Sequence, residues 1–137
     1  MVQPDQTFLA KARESLEGAR LAYEGGRYSN SANRSYYACL QAAIHALVVA
    51  GVRPPNTSAP GAPKWNHGLV HGQFNGLLIN RRHRYGPELR TVLVANYELR
   101  VQADYTDKAV SGVTAFRALR RAEGFVAAIA LREDGRR

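Results

Sequence analysis

An all-α fold, an antiparallel bundle of four or five helices, is what this sequence predicts, and three observations predict it. Apolar residues recur every three or four positions through most of the chain, no segment of strand length alternates apolar with polar, and glycine or proline punctuates the apolar runs. With 137 residues, 45% of them hydrophobic and 22% charged, the chain has the size and composition of one globular domain, and residues 1–137 are read as a single unit.

The first helix is predicted over 7–25. Phe8, Ala12, Leu16, Ala19 and Tyr23 form its apolar stripe, Thr7 or Asp5 caps its start, and Gly25-Gly26 stops it. Ser29 or Ser31 opens a second helix that runs to Ala50, with Ala32, Tyr36, Cys39 or Leu40, Ala43 and Leu47 facing inward and Gly51 ending it. Residues 53–66 hold four of the six prolines and no hydrophobic period, so they read as a loop. It is longer than most loops in compact domains, and is therefore expected to be functional or mobile.

A third helix is expected from His67 to Ile79. Gly68, Gly72 and Gly76 share one of its faces, which predicts either a close helix approach or a weak helix. Residues 80–86, NRRHRYG, form a basic turn. Pro87 suits the first position of a fourth helix carrying Leu89, Val92, Leu93, Asn96, Arg100 and Ala103 as far as Tyr105. A last helix is predicted from Asp107 to Arg132, with Val110, Val113, Leu119, Ala122, Val126 and Ile129 inward and Arg117, Arg120 and Arg121 outward.

Several function classes are excluded by the composition. No window approaches the ~18 apolar residues of a membrane span, and the first residues lack a basic stretch followed by an apolar one, so a cytoplasmic location is expected. The single cysteine, Cys39, excludes an internal disulfide framework and a multi-cysteine zinc site. His67 and His71 have a spacing that can grip a metal, but Gly68 stands where a helical zinc-hydrolase motif needs glutamate. No metal and no cofactor are predicted.

Charge points to partners. Lys and Arg number 19 against 11 Asp and Glu, a net charge of +8, and arginine supplies most of it. Its planar fork suits phosphate oxygens and carboxylates alike, so nucleic acid or an acidic partner is expected. Arg81, Arg82 and Arg84 make the densest basic run and are the predicted contacts to nucleic-acid phosphates, against the alternative of a solvated turn.

The second helix contains Arg34-Ser35-Tyr36-Tyr37-Ala38; His67, Val70 and Phe74 follow on the third. The fourth carries Arg100-Val101-Gln102-Ala103-Asp104-Tyr105, and the last has Ala122, Phe125 and Val126. This ordered set, across about residues 8–130, resembles the HEPN superfamily of small prokaryotic helical proteins, in the branch with R-x-Y-Y-A and R-x-x-A-D-Y motifs. The resemblance implies a helical bundle that forms a homodimer and is paired with a minimal nucleotidyltransferase in a toxin–antitoxin or defence system. It also implies, for many members, a metal-independent ribonuclease whose arginine is followed four to six residues later by histidine.

Here the spacing departs from that nuclease pattern. None of His45, His67, His71 and His83 has an arginine four to six residues before it, and the position four after Arg100 is Asp104. Cleavage by a ribose 2′-hydroxyl needs a base near neutral pKa, which histidine supplies and tyrosine does not. The chain is therefore expected to bind RNA, a nucleotide or a protein partner in a cleft framed by Arg34, Tyr37, Arg100, Asp104 and Tyr105. The alternative is a ribonuclease with an altered site, in which Arg100, Asp104, His67 and His71 are the candidate catalytic residues and a histidine reaches Arg100 from a neighbouring helix.

Overall fold

Small residues decide the centre of the bundle. In the computed structural model, which describes residues 7–54 and 64–134, helix α2 (Tyr28–Val49) buries Ala32, Ala38, Ala42, Ala43 and Ala46. Burial on every face is the mark of a central helix. Alanine lets neighbouring backbones come close, and α1 (Thr7–Glu24) meets this surface with Ala12, Ala19, Leu9 and Leu16. The helices α4 (Glu88–Tyr105) and α5 (Gly112–Asp134) pack against other sides of α2, and α5 also closes on α1 and α4. The described residues contain no strand, as the hydrophobic periodicity predicts.

Each helix end has a local cause. After α1, Gly26 adopts φ +75°, and Arg27 N–H reaches the Ala22 carbonyl at 2.8 Å. Only a residue without Cβ takes that left-handed turn without strain. The start of α2 corrects the expected serine cap: the helix begins at Tyr28, and Ser31 is buried inside it, its hydroxyl donating to the Ala19 carbonyl at 2.9 Å. Ser31 thus joins α2 to α1 rather than opening a helix. Asp5 and residues 55–63 of the proline loop lie outside the described residues.

The third helix also differs from the expectation of one regular helix. An α-helical part, α3 (His67–Gln73), is capped by Asn66, whose side chain accepts from Leu69 N–H at 2.8 Å. It continues as a π-helical segment over Phe74–Arg81, and Arg82 N–H bonds to the Leu77 carbonyl five residues back. Widening each turn keeps Phe74, Leu78 and Ile79 buried. Of the two readings of the glycine face, a close helix approach or a weak helix, the first does not hold at Gly72 and Gly76, where a Cβ would meet nothing within 4 Å among the described residues.

The last helix begins at Gly112, five residues later than the pattern suggests. Thr106 is extended, and its hydroxyl donates to the Gln102 carbonyl at 2.8 Å, which ends α4. Ser111 then accepts from Thr114 N–H at 3.1 Å as the cap of α5. Gly112 fits closely there: a Cβ would lie 3.0 Å from the Tyr28 ring, which would have to give by a few tenths of an ångström.

Polar groups inside the bundle are tied across helices. Asn96 of α4 donates to the Ala118 carbonyl at 3.2 Å and to Cys39 Sγ at 3.6 Å, and accepts from Arg121 Nε at 2.9 Å. One side chain thereby links α2, α4 and α5. Burial pushes the Cys39 thiol up to about 12, with the Asn96 contact opposing it. No helix among the described residues is long and apolar enough to cross a membrane.

Candidate functional site

The first turns of α2, the start of α3 and the last turns of α4 converge on one guanidinium. Arg100 is 7% exposed although its residue type prefers water. Its carbon Cζ lies 5.7, 5.6, 5.9 and 5.5 Å from the ring centroids of Tyr36, Tyr37, Tyr97 and Tyr105. Four rings so placed attract a cation through their negative faces. The helical geometry explains the set: Tyr97 precedes Arg100 by one turn of α4, and Tyr36 and Tyr37 present adjacent positions of α2.

Charge compensation is incomplete. The expected pair with Asp104 is present but long, Nε to Oδ2 3.9 Å. Arg100 Nε is buried with no hydrogen-bond partner among the described residues. Asp104 instead accepts from Asn33 Nδ2 at 2.8 Å. Asn33 Oδ1 in turn accepts from Arg34 Nε and Nη2 at 3.0 and 2.8 Å. The Arg34 guanidinium also lies 5.0 Å from the Tyr37 centroid, so Tyr37 has cationic groups of both Arg34 and Arg100 near its ring.

The imidazoles enter from α3. His67 Nε2 is 3.4 Å from Arg100 Nη2, and its Nδ1 is 2.7 Å from the Tyr36 hydroxyl. That hydroxyl is also 3.0 Å from His71 Nε2. Burial, then the Arg100 charge, lowers the His67 pKa below its ordinary value; burial, then His67, lowers that of His71. Burial raises the pKa of Tyr36, so its proton stays on. At neutral pH the site therefore presents a cation, two neutral imidazoles and a protonated phenol.

Of the residues named from sequence, the structure brings together Arg34, Tyr37, Arg100, Asp104, Tyr105, His67 and His71. Arg100 has an imidazole companion after all, supplied by the fold and not by the four-to-six spacing. Asn33 is the member that sequence reasoning misses; its only signal is its place beside Arg34, one helical turn from Tyr36 and Tyr37. Arg81, Arg82 and Arg84 are not part of the cluster. Arg82 Nη1 donates to the Ala50 carbonyl at 3.2 Å, beyond the end of α2 and about 20 Å along its axis from Tyr36. Among the described residues there is no group of three or more His, Cys, Asp or Glu that could hold a metal ion.

Two grooves meet at Arg34. One, of about 400 Å³, is lined by Lys11, Glu14, Ser15, Gly18, Arg34 and Gln41. The other, of about 330 Å³, runs past Ala22, Asn30 and Asn33. A larger groove of about 540 Å³, between Tyr85, Leu89 and Leu131, contains no member of the cluster. The chemistry gathers at Arg100 and not in this larger hollow.

This bundle and its motif order define a class. A family model described as HEPN domain matches residues 6–133. The chain belongs to the HEPN family. A comparison with curated proteins finds no match.

Proposed function

We propose that this HEPN-domain protein is the RNA- or nucleotide-binding member of a cytoplasmic toxin–antitoxin or defence-type pair with a nucleotidyltransferase, that it acts as a homodimer, and that Arg100 receives the ligand's phosphate. One observation carries the reading: a buried guanidinium whose Nε has no hydrogen-bond partner among the described residues and whose carboxylate stands off at 3.9 Å. Taking a charge out of water without close compensation is costly, and an anionic oxygen offsets that cost. The net charge of +8 supports a polyanionic ligand. Tyr105, 74% exposed and beside Arg100, offers a ring on which a base stacks.

The test is fluorescence anisotropy with a labelled single-stranded RNA at several salt concentrations. Affinity that falls steeply with salt, and is lost in Arg100→Gln, supports the reading. Equal binding by wild type and Arg100→Gln refutes it.

A second reading has its own observation. His67 Nε2, 3.4 Å from Arg100 Nη2, places a neutral base beside the cation that would hold a scissile phosphate. That arrangement suits a metal-independent ribonuclease with an altered site. RNA cleavage in the presence of EDTA, abolished by His67→Ala, would establish it; intact RNA after prolonged incubation with bound protein would leave binding alone.

A further inference from the structure

Arginine has donors only, and this fixes the polarity of the contacts that begin at Arg100. Its Nη2 faces His67 Nε2 at 3.4 Å, so that nitrogen is the acceptor. A neutral imidazole with an accepting Nε2 carries its hydrogen on Nδ1, which donates to the Tyr36 oxygen at 2.7 Å. The Tyr36 hydroxyl then has its own hydrogen to place, and His71 Nε2 lies 3.0 Å away to accept it.

We propose that His71, acting through the Tyr36 hydroxyl, is a positioning residue that holds His67 in the Nδ1–H tautomer, with the Nε2 lone pair aimed at the ligand side of Arg100. The inference rests on Arg100 being the phosphate site, and it adds what the neighbouring imidazole asks of the ligand. When a phosphate oxygen takes the Arg100 N–H, His67 Nε2 is left needing a donor. A hydroxyl adjacent to the phosphate supplies one.

The groups around His67 agree with this assignment. From α4 it meets Arg100 and Tyr97, and from α2 Tyr36 and Tyr37. On its own helix it meets His71 through Tyr36. The Asp104 carboxylate addresses Arg100 and Asn33, not the imidazole. Nothing anionic in this set favours the imidazolium, whose Nε2–H would point at an arginine N–H.

Removing His71 is expected to invert the tautomer, because the Tyr36 contact to Nδ1, at 2.7 Å, is shorter and stronger than the 3.4 Å contact of Nε2 with Arg100. Without that acceptor, the Tyr36 hydroxyl turns and donates to His67 Nδ1, and the hydrogen moves to Nε2. Long-range ¹H–¹⁵N correlation spectra of the full chain read this directly. Wild type is expected to show His67 Nε2 unprotonated. His71→Gln, whose side-chain oxygen accepts from Tyr36, is expected to retain that state. His71→Leu is expected to show the Nε2–H tautomer and to bind a single-stranded oligouridylate about fivefold more weakly, the worth of one neutral hydrogen bond.

A wild-type His67 protonated on Nε2 overturns the proposal without any variant. So does an unchanged tautomer in a His71→Leu protein that still melts cooperatively. The tautomer is read on the free protein. A correct tautomer with no RNA binding therefore refutes the phosphate site while leaving the relay standing, and the reverse pattern refutes the relay alone.

Discussion

His67 Nε2 and Arg100 Nη2 stand 3.4 Å apart, although 32 residues separate them in the chain. Their helices, α3 and α4, meet here through the side chains of His67 and His71 against Tyr97 and Arg100, on the Tyr36 side of α2. A cation with a neutral imidazole and four aromatic rings around it is poorly compensated in the free protein, and in the proposed function the same arrangement accepts an anion. Stability and binding therefore make opposing demands on Arg100.

Replacing that residue separates the two demands. Arg100→Met keeps the long apolar stem among Tyr36, Tyr37, Tyr97 and Tyr105 and removes the buried charge. Its thermal midpoint is expected to equal or exceed that of wild type, while RNA affinity falls by about tenfold or more. Melting curves and anisotropy titrations on the same samples check both. A loss of several kcal/mol of stability would mean that the guanidinium is chiefly a structural tie.

The depressed histidines make folding sensitive to acid. In the unfolded chain both titrate near 6.5; in the fold, burial places them lower, with Arg100 adding to the effect at His67 and His67 at His71. Between the folded and unfolded values the unfolded state binds more protons, so stability rises with pH there. It is expected to be fully present above about pH 7 and to fall as the pH drops through about 6.5 toward the folded values. Urea unfolding from pH 7.5 to 5.5 measures this, and His67→Gln with His71→Gln should flatten the slope. A stability that is level or increasing on acidification contradicts the assignment of neutral imidazoles.

Asn96 is expected to matter for folding and little for the site. Asn96→Ala deprives Arg121 Nε of its acceptor and the α2–α4–α5 junction of its link. The cost is about 2 kcal/mol, read by urea denaturation. A variant as stable as wild type would show that Arg121 finds water and that the junction is held by apolar packing alone.

Cys39 is expected to be inert in the native protein. Its thiol is fully buried and pushed up to about 12 by that burial, so thiolate, the reactive form, is scarce at neutral pH. Dithionitrobenzoate should react only at the rate of unfolding, and at once in denaturant. Rapid modification of the folded chain would place Cys39 on an accessible surface.

Most of the helical framework was legible because apolar periodicity and glycine stops are local signals. The departures have tertiary causes. Ser31 has a cap-forming side chain but spends its hydroxyl on α1, and the segment after Gln73 widens to keep Phe74, Leu78 and Ile79 inward. Asp107 to Val110 carries helix-like spacing, yet Thr106 turns the chain and Ser111 caps the next helix. For the site, the tyrosines and arginines of α2 and α4 were readable from their motifs. The His67 contact was not, because the sequence does not say how α3 is docked after the loop. Arg81, Arg82 and Arg84 lie apart from the Arg100 cluster, because density of charge in sequence does not place it near the other cations in space.

The most direct test of the central claim is a residue-resolved ¹H–¹⁵N titration of the folded protein with a short single-stranded RNA. The account predicts that the largest shifts fall on Asn33, Arg34, Tyr37, His67 and the Arg100–Tyr105 turn of α4, and that they vanish in Arg100→Gln. Shifts confined to Arg81–Arg84 and the outer arginines of α5, or none at all, would contradict it.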